Sequence, residues 1–211
     1  MDAALPTLAA HLQRRANLQP DAELFAFLDI DGNVVDRLSC RELDLRARRV
    51  AAALLAQGAG GQRVLLLFAP GLDFVVAFYA CLYAGAIAVP AYPPDPMRLE
   101  RTLPRLQAVA ADAEPAAVLT SAMVLEAASF LFTLAPGLAG PAWLAMESLL
   151  AAGDAPGFQP HPGAAHELAM IQYTSGSTSM PKGVAISQAN LLSNARMLHR
   201  ASGQDERRLT L

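Results

Sequence analysis

Val64-Leu65-Leu66-Leu67-Phe68, then Leu72 to Tyr83, then Ala86-Ile87-Ala88-Val89-Pro90: this stretch decides the fold. The first and third runs are short and apolar without polar alternation, the pattern of strands buried on both faces. The run between them has helical length. Leu99 to Ala111 then reads as another helix and Ala117 to Thr120 as another apolar strand. Buried strands alternating with helices predict an α/β fold, a mostly parallel sheet flanked by helices and joined by right-handed crossovers. Pro104 is expected near the start of its helix, where a missing amide hydrogen costs little. The uncharged stretch from Phe74 to Val89 is shorter than the ~20 residues of a spanning helix and is interrupted by Gly85, so no membrane span is expected.

Upstream, Leu5, Leu8, Ala9 and Leu12 recur at helical spacing, and Leu24 to Leu28 and Val34 to Leu38 flank the turn dipeptide Asp31-Gly32, the mark of a β-hairpin. In Ser39-Cys40-Arg41-Glu42 the hydroxyl can cap free amides while the carboxylate reaches back, which opens an amphipathic helix ending at Gly58. Downstream, one helix is expected from Ser121 to about Leu134, a short strand at Ala142 to Leu144, and a Gly/Pro-rich surface loop from Gly153 to Pro162. Leu168 to Thr174 reads as a strand, Ser175 to Lys182 as a loop, Gly183 to Ile186 as a returning strand and Ser187 to Leu198 as a helix capped by Ser187. Arg207 to Leu211 reads as the start of a further strand.

The chain has 211 residues, 54% of them apolar and 17% charged, which is enough apolar material for a core and excludes intrinsic disorder. Its net charge of -3 and lack of a dense basic stripe argue against a nucleic-acid partner. Cys40 and Cys81 have no metal-ligand or disulfide-framework spacing and fit a reducing compartment. No basic region followed by an apolar run opens the N-terminus, so a cytoplasmic location is expected. The four histidines form no sequence cluster. The Phe74, Phe78, Tyr79 and Leu82 stripe is expected in the core rather than along a ligand tunnel.

The segment that carries chemistry is Tyr173-Thr174-Ser175-Gly176-Ser177-Thr178-Ser179-Met180-Pro181-Lys182-Gly183. Its hydroxyls and backbone amides can converge on one point as a concave anion site, and Gly176 allows close backbone approach. Lys182 adds a point charge for phosphate oxygens, and the preceding strand is a rigid base. Walker A loops end in Gly-Lys-Ser/Thr before a helix, whereas here Pro181 precedes Lys182 and a strand follows, so a different nucleotide fold is implied. Gly58-Ala59-Gly60-Gly61 precedes a strand and has Arg63 in place of the third glycine of a dinucleotide fingerprint. Residue types and spacing thus lead to polyphosphate binding, with a plain surface loop as the alternative.

Tyr173 to Val184 also resembles the signature loop of the adenylate-forming superfamily: acyl-CoA synthetases, luciferases and peptide-synthetase adenylation domains. Leu82 to Pro96, Arg98 to Ala113 and Asn190 to Asn194 are similar to the fatty acyl-AMP ligase branch. Ser179 stands where most of the superfamily has glycine and this branch often has serine. Gln188 replaces a histidine found in many relatives, so a role carried by that histidine is not transferred to it.

The resemblance implies that a fatty acid carboxylate attacks the α-phosphate of ATP-Mg, that pyrophosphate leaves, and that the acyl group of the adenylate passes to the phosphopantetheine thiol of an acyl carrier protein. It implies phosphate contacts from Thr174, Ser175, Gly176, Ser177, Thr178 and Lys182, with Lys182 also catalytic, as amide, hydroxyl and ammonium donors would stabilise the departing charge. It places the adenine and ribose contacts, the acidic Mg ligand, the family's catalytic lysine and the mobile C-terminal domain beyond Leu211. No metal ligand is therefore assigned here. Residues 1–211 are accordingly expected to be an incomplete N-terminal portion of an AMP-binding (adenylation) domain, without its C-terminal subdomains and inactive alone. An acyl-CoA ligase and a non-catalytic nucleotide-binding or carrier-binding module are the alternatives.

Overall fold

The structure is a computed structural model that describes residues 5–174 and 181–202. Its elements run α1 (Leu8–Leu18), β1 (Glu23–Leu28), β2 (Val34–Ser39), α2 (Cys40–Ala56), β3 (Arg63–Leu67), α3 (Leu72–Ala84), β4 (Ile87–Ala91), α4 (Leu99–Ala113), β5 (Ala117–Thr120), α5 (Ala122–Glu126), α6 (Ala128–Leu134), β6 (Ala142–Ala145), α7 (Met146–Ala151), β7 (Leu168–Thr174), β8 (Lys182–Ser187) and α8 (Gln188–Ser202). β1 and β2 form the expected hairpin, apart from the main sheet. The main sheet has six strands in the order β6-β5-β3-β4-β7-β8, all pairs parallel except β7 with β8. The expected mostly parallel sheet flanked by helices is therefore present.

Unbroken apolar strands need cover on both faces, and they have it. Val64, Leu66, Ala88, Ala117 and Leu119 face one core, shared with α2, α3 and α1. Leu65, Leu67, Val89 and Val118 face the other, shared with α4 and α6. Leu65, Leu66 and Leu67 are fully buried, each worth about 1.5–3 kcal/mol. Because α3 and α4 cover opposite faces, the chain reverses its direction of travel across the sheet after β4, which makes the carboxyl ends of β3 and β4 a topological switch point.

Local signals act as expected at several boundaries. Ser39 and Glu42 complete a reciprocal capping box on α2. Ser187 Oγ accepts from Asn190 N at 3.2 Å, and Asn190 Oδ1 accepts from Ser187 N at 3.0 Å. Gly85 ends α3 in the left-handed conformation, φ 64°, where an added Cβ would lie 2.9 Å from the His161 ring.

Four expectations are corrected. The helix expected over 121–134 is two helices meeting at Ala127; the bend carries Ala128 and Leu131 into the core, whereas α5 buries no residue. α7 was not expected; its Met146, Leu149 and Leu150 do show helical spacing, but over a stretch too short to stand out. Pro104 lies in the second turn of α4, where the Glu100 carbonyl has lost its intrahelical donor, and both residues are solvent-exposed so water can replace it. Lys182 belongs to strand β8 rather than to the loop before it. The strand expected at Arg207 to Leu211 lies outside the described residues.

Candidate functional site: a strand pair beside a cleft at the switch point

β7 and β8 pair antiparallel with Thr174 directly opposite Lys182, so the last residue of one strand faces the first of the next. Both are solvent-exposed. Of the six expected phosphate contacts, the structure brings these two together. Ser175, Gly176, Ser177 and Thr178 lie outside the described residues.

The base of the loop is tightly built. Tyr173, one residue before Thr174, is 7% exposed, and its Oη donates to an Asp112 carboxylate oxygen on α4. Burial first, then the Asp112 hydrogen bond and charge, push the phenol far above its ordinary range, so it remains a donor. Across the ladder, Tyr173 is opposite Gly183. A Cβ at Gly183 would stand 2.8 Å from Ile171 Cγ2 and 3.1 Å from Tyr173 Cζ. The ring thus occupies the place where a side chain would otherwise sit. Sequence reasoning missed Asp112, since nothing local marks a helical aspartate as a partner of a tyrosine 61 positions away.

Next to this base lies a cleft of about 560 Å³. Its floor and rims come from the segments after β3 (Phe68 to Gly71) and β4 (Tyr92, Pro93), from Gln172 and Tyr173 of β7, and from α4. It therefore opens at the carboxyl ends of β3, β4 and β7, where a switch point provides a crevice. Most of the wall is apolar, whereas Arg101, Thr102 and Arg105 supply polarity from α4. Neither arginine forms an ion pair among the described residues. Thr102 Oγ1 accepts from Asp95 N at 3.0 Å, and Asp95 accepts from Met97 N at 2.9 Å, which staples the Pro-rich segment after β4 to α4. Thr120 Oγ1 donates to the Leu67 carbonyl at 2.7 Å and anchors the end of β5 to that of β3.

Phe78, Tyr79 and Leu82 pack in the core as expected, but Phe74 both packs there and lines the cleft. No histidine lines the cleft. His161 instead bonds Glu167 at 2.8 Å, a contact that holds the Glu167 carboxyl below its usual range. Gln188 is buried at the start of α8, away from the cleft, and its Oε1 has no partner among the described residues. Among the described residues no group of three His, Cys, Asp or Glu could hold a metal ion.

A mostly parallel sheet with a switch-point cleft, bordered by the antiparallel β7–β8 pair, defines an α/β domain, and a strand rather than a helix after Lys182 sets it apart from a P-loop fold. Residues 12–210 match the model of the AMP-binding enzyme family, and the chain belongs to that family. It is 38% identical over 201 residues to the medium-chain fatty acid acyl-carrier-protein ligase JamA of Moorena producens, covering 93% of this chain and 33% of the relative. A fatty acyl-adenylate ligase from L. pneumophila, solved in complex with acyl adenylate and pyrophosphate, superposes with a TM-score of 0.80 at 36% identity, covering 94% of this chain and 33% of that one. Disco-interacting protein 2 homolog A of Homo sapiens is 42% identical over 119 residues, 56% of this chain and 8% of the relative. The chain thus spans about a third of the length of the two ligases. No helix among the described residues is long and apolar enough to cross a membrane.

Proposed function

We propose that this chain forms part of an enzyme that activates a fatty acid with ATP, giving acyl-adenylate and pyrophosphate, and then passes the acyl group to the phosphopantetheine thiol of an acyl carrier protein. The observation that carries this reading is the Thr174–Lys182 register pair, which puts a hydroxyl and an ammonium at facing ends of one hydroxyl-rich loop beside a largely apolar cleft. Thr174, Ser175, Gly176, Ser177 and Thr178 contact the phosphates, and Lys182 neutralises charge building on pyrophosphate as it departs. Magnesium accompanies ATP and is held by groups outside the described residues. The cleft suits a linear, mostly apolar chain with an anionic end facing Arg101 and Arg105. Both a fatty acid and a phosphopantetheine arm have that chemistry.

We further propose that these 211 residues are the N-terminal portion of the adenylation domain, that alone they form no acyl-adenylate, and that the enzyme works in the cytoplasm in lipid biosynthesis. Cys40 and Cys81 are free and buried, which suits a reducing compartment. The test is ATP–pyrophosphate exchange by the complete polypeptide, with fatty acids of graded length. Lys182→Ala should lower exchange about a hundredfold without changing the fold; an unchanged rate removes the lysine from the mechanism. Absence of exchange with every fatty acid overturns the assignment. Offering coenzyme A or a phosphopantetheinylated carrier protein to the preformed adenylate decides the acceptor.

A further inference from the structure

We infer that Tyr173, Asp112 and Gly183 form a positioning unit that sets the two feet of the phosphate loop, Thr174 and Lys182, at a fixed separation and pitch. The inference rests on reading that loop as the ATP site. Tyr173 is covalently joined to Thr174, and Gly183 to Lys182. Tyr173 and Gly183 are also direct cross-strand partners, which lie about 4.5–5.5 Å apart at Cα in an antiparallel ladder. Whatever holds this pair holds both feet.

Two independent contacts do so. The Tyr173 ring fills the space above Gly183 so closely that a Cβ there would sit 3.1 Å from Cζ and 3.3 Å from Cε1. This makes the ring a brace from β7 onto β8. The far end of the brace is tied by the Oη–Asp112 hydrogen bond to α4, a helix rooted in the core through Leu103, Leu106, Val109 and Ala113. Removing the hydroxyl frees the end of the ring from α4 but leaves its packing on Gly183, so the strand pair survives while its attachment loosens. Loosened feet misplace the phosphate donors, and misplacement of this sort weakens both ground-state contacts and the transition state.

The test is made on the complete polypeptide, with ATP as the probe. Tyr173→Phe should raise the ATP dissociation constant and the KM for ATP by about five- to tenfold, the net effect of one ordinary hydrogen bond. The KM for the fatty acid should not change. Asp112→Ala should give the same factor, the double variant no more, and Asp112→Asn, which still offers an acceptor oxygen, should restore most of it. A merely structural role would lower the active fraction and leave both KM values where they were. Wild-type ATP affinity in Tyr173→Phe overturns the inference, as does multiplication of the two effects in the double variant. Calorimetric ATP binding separates this from the proposed reaction: a wild type that binds ATP but exchanges no pyrophosphate ends the ligase reading and leaves the positioning unit to stand or fall on affinity. A wild type that binds no ATP overturns both.

Discussion

Replacing Gly183 by alanine inserts one methyl group against Ile171 and Tyr173 at the start of β8. The new Cβ would lie 2.8 Å from Ile171 Cγ2, whereas carbon atoms rest at about 3.5–4.0 Å, so roughly 0.7–1.2 Å of movement is required. Neither neighbour yields easily. Ile171 packs against the core under α4, and Tyr173 is tied through Oη to Asp112. Overpacking of this kind costs about 1–3 kcal/mol, and the lower entropy of an unfolded alanine chain offsets about 0.4–1 of that. The net loss centres on about 1.3 kcal/mol, a fall in Tm of roughly 3–5 °C for a chain of this size. Differential scanning calorimetry should be run beside Gly137→Ala, where an added Cβ meets nothing within 4 Å and φ is not positive. The control should be neutral or slightly stabilised. If Gly183→Ala melted at or above the wild-type temperature, the space above Gly183 would be open and the bracing argument would lose its footing.

Tyr83→Phe removes the donor that reaches Asp44 Oδ1 at 2.6 Å, a buried carboxylate otherwise held by Arg48 at 2.8 Å. The loss should be about 1–3 kcal/mol, seen as a lower urea midpoint at constant slope; an unmoved midpoint would mean that water already serves that oxygen. The Asp73 carboxyl is raised above its usual range by burial first and by the neighbouring Glu147 second. An acid with a raised folded pKa is most favourable while protonated and costs stability as pH climbs through that pKa. Asp73→Asn should therefore gain on the wild type in Tm near pH 7 and match it near pH 3, below the ordinary aspartate value of about 3.9; a pH-independent difference would contradict this. Burial alone pushes the Cys81 thiol far upward, so maleimide labelling followed by mass spectrometry should leave Cys81 unmodified in the native protein and modify it in denaturant. Native labelling of Cys81 would show that α3 opens.

What the sequence revealed depended on how far apart the cooperating residues are. Strands β3, β4 and β5 are legible because a strand covered on both faces carries its burial at every position, with Leu65, Leu66 and Leu67 alike at 0% exposure. The α2 and α8 caps are legible because Ser39 and Glu42, or Ser187 and Asn190, lie three residues apart. The strand before the loop was legible to its last residue, Thr174, whereas Lys182 was expected in the loop and instead begins β8. The bend at Ala127 was hidden because its cause is where Leu131 must pack, a property of the sheet beneath rather than of the local sequence. The Asp112 tether and the cleft were hidden for a related reason. Phe68, Tyr92, Arg105 and Gln172 meet only after the strand order is fixed, and no spacing rule connects them.

The strand order also explains why one helix serves two parts of the site. After β4 the chain must pass β3 to reach its place at β5, and α4 makes that crossing on the face opposite α3. That route starts at the carboxyl end of β4, which lets residues of the helix wall the switch-point cleft. Arg101, Thr102, Arg105, Leu106 and Val109 do so. One turn further on, the same helix presents Asp112 to Tyr173. α4 is anchored over this span by Leu103, Leu106, Val109, Ala110 and Ala113 at helical spacing. The cleft wall and the partner of the Tyr173 hydroxyl thus share one helix.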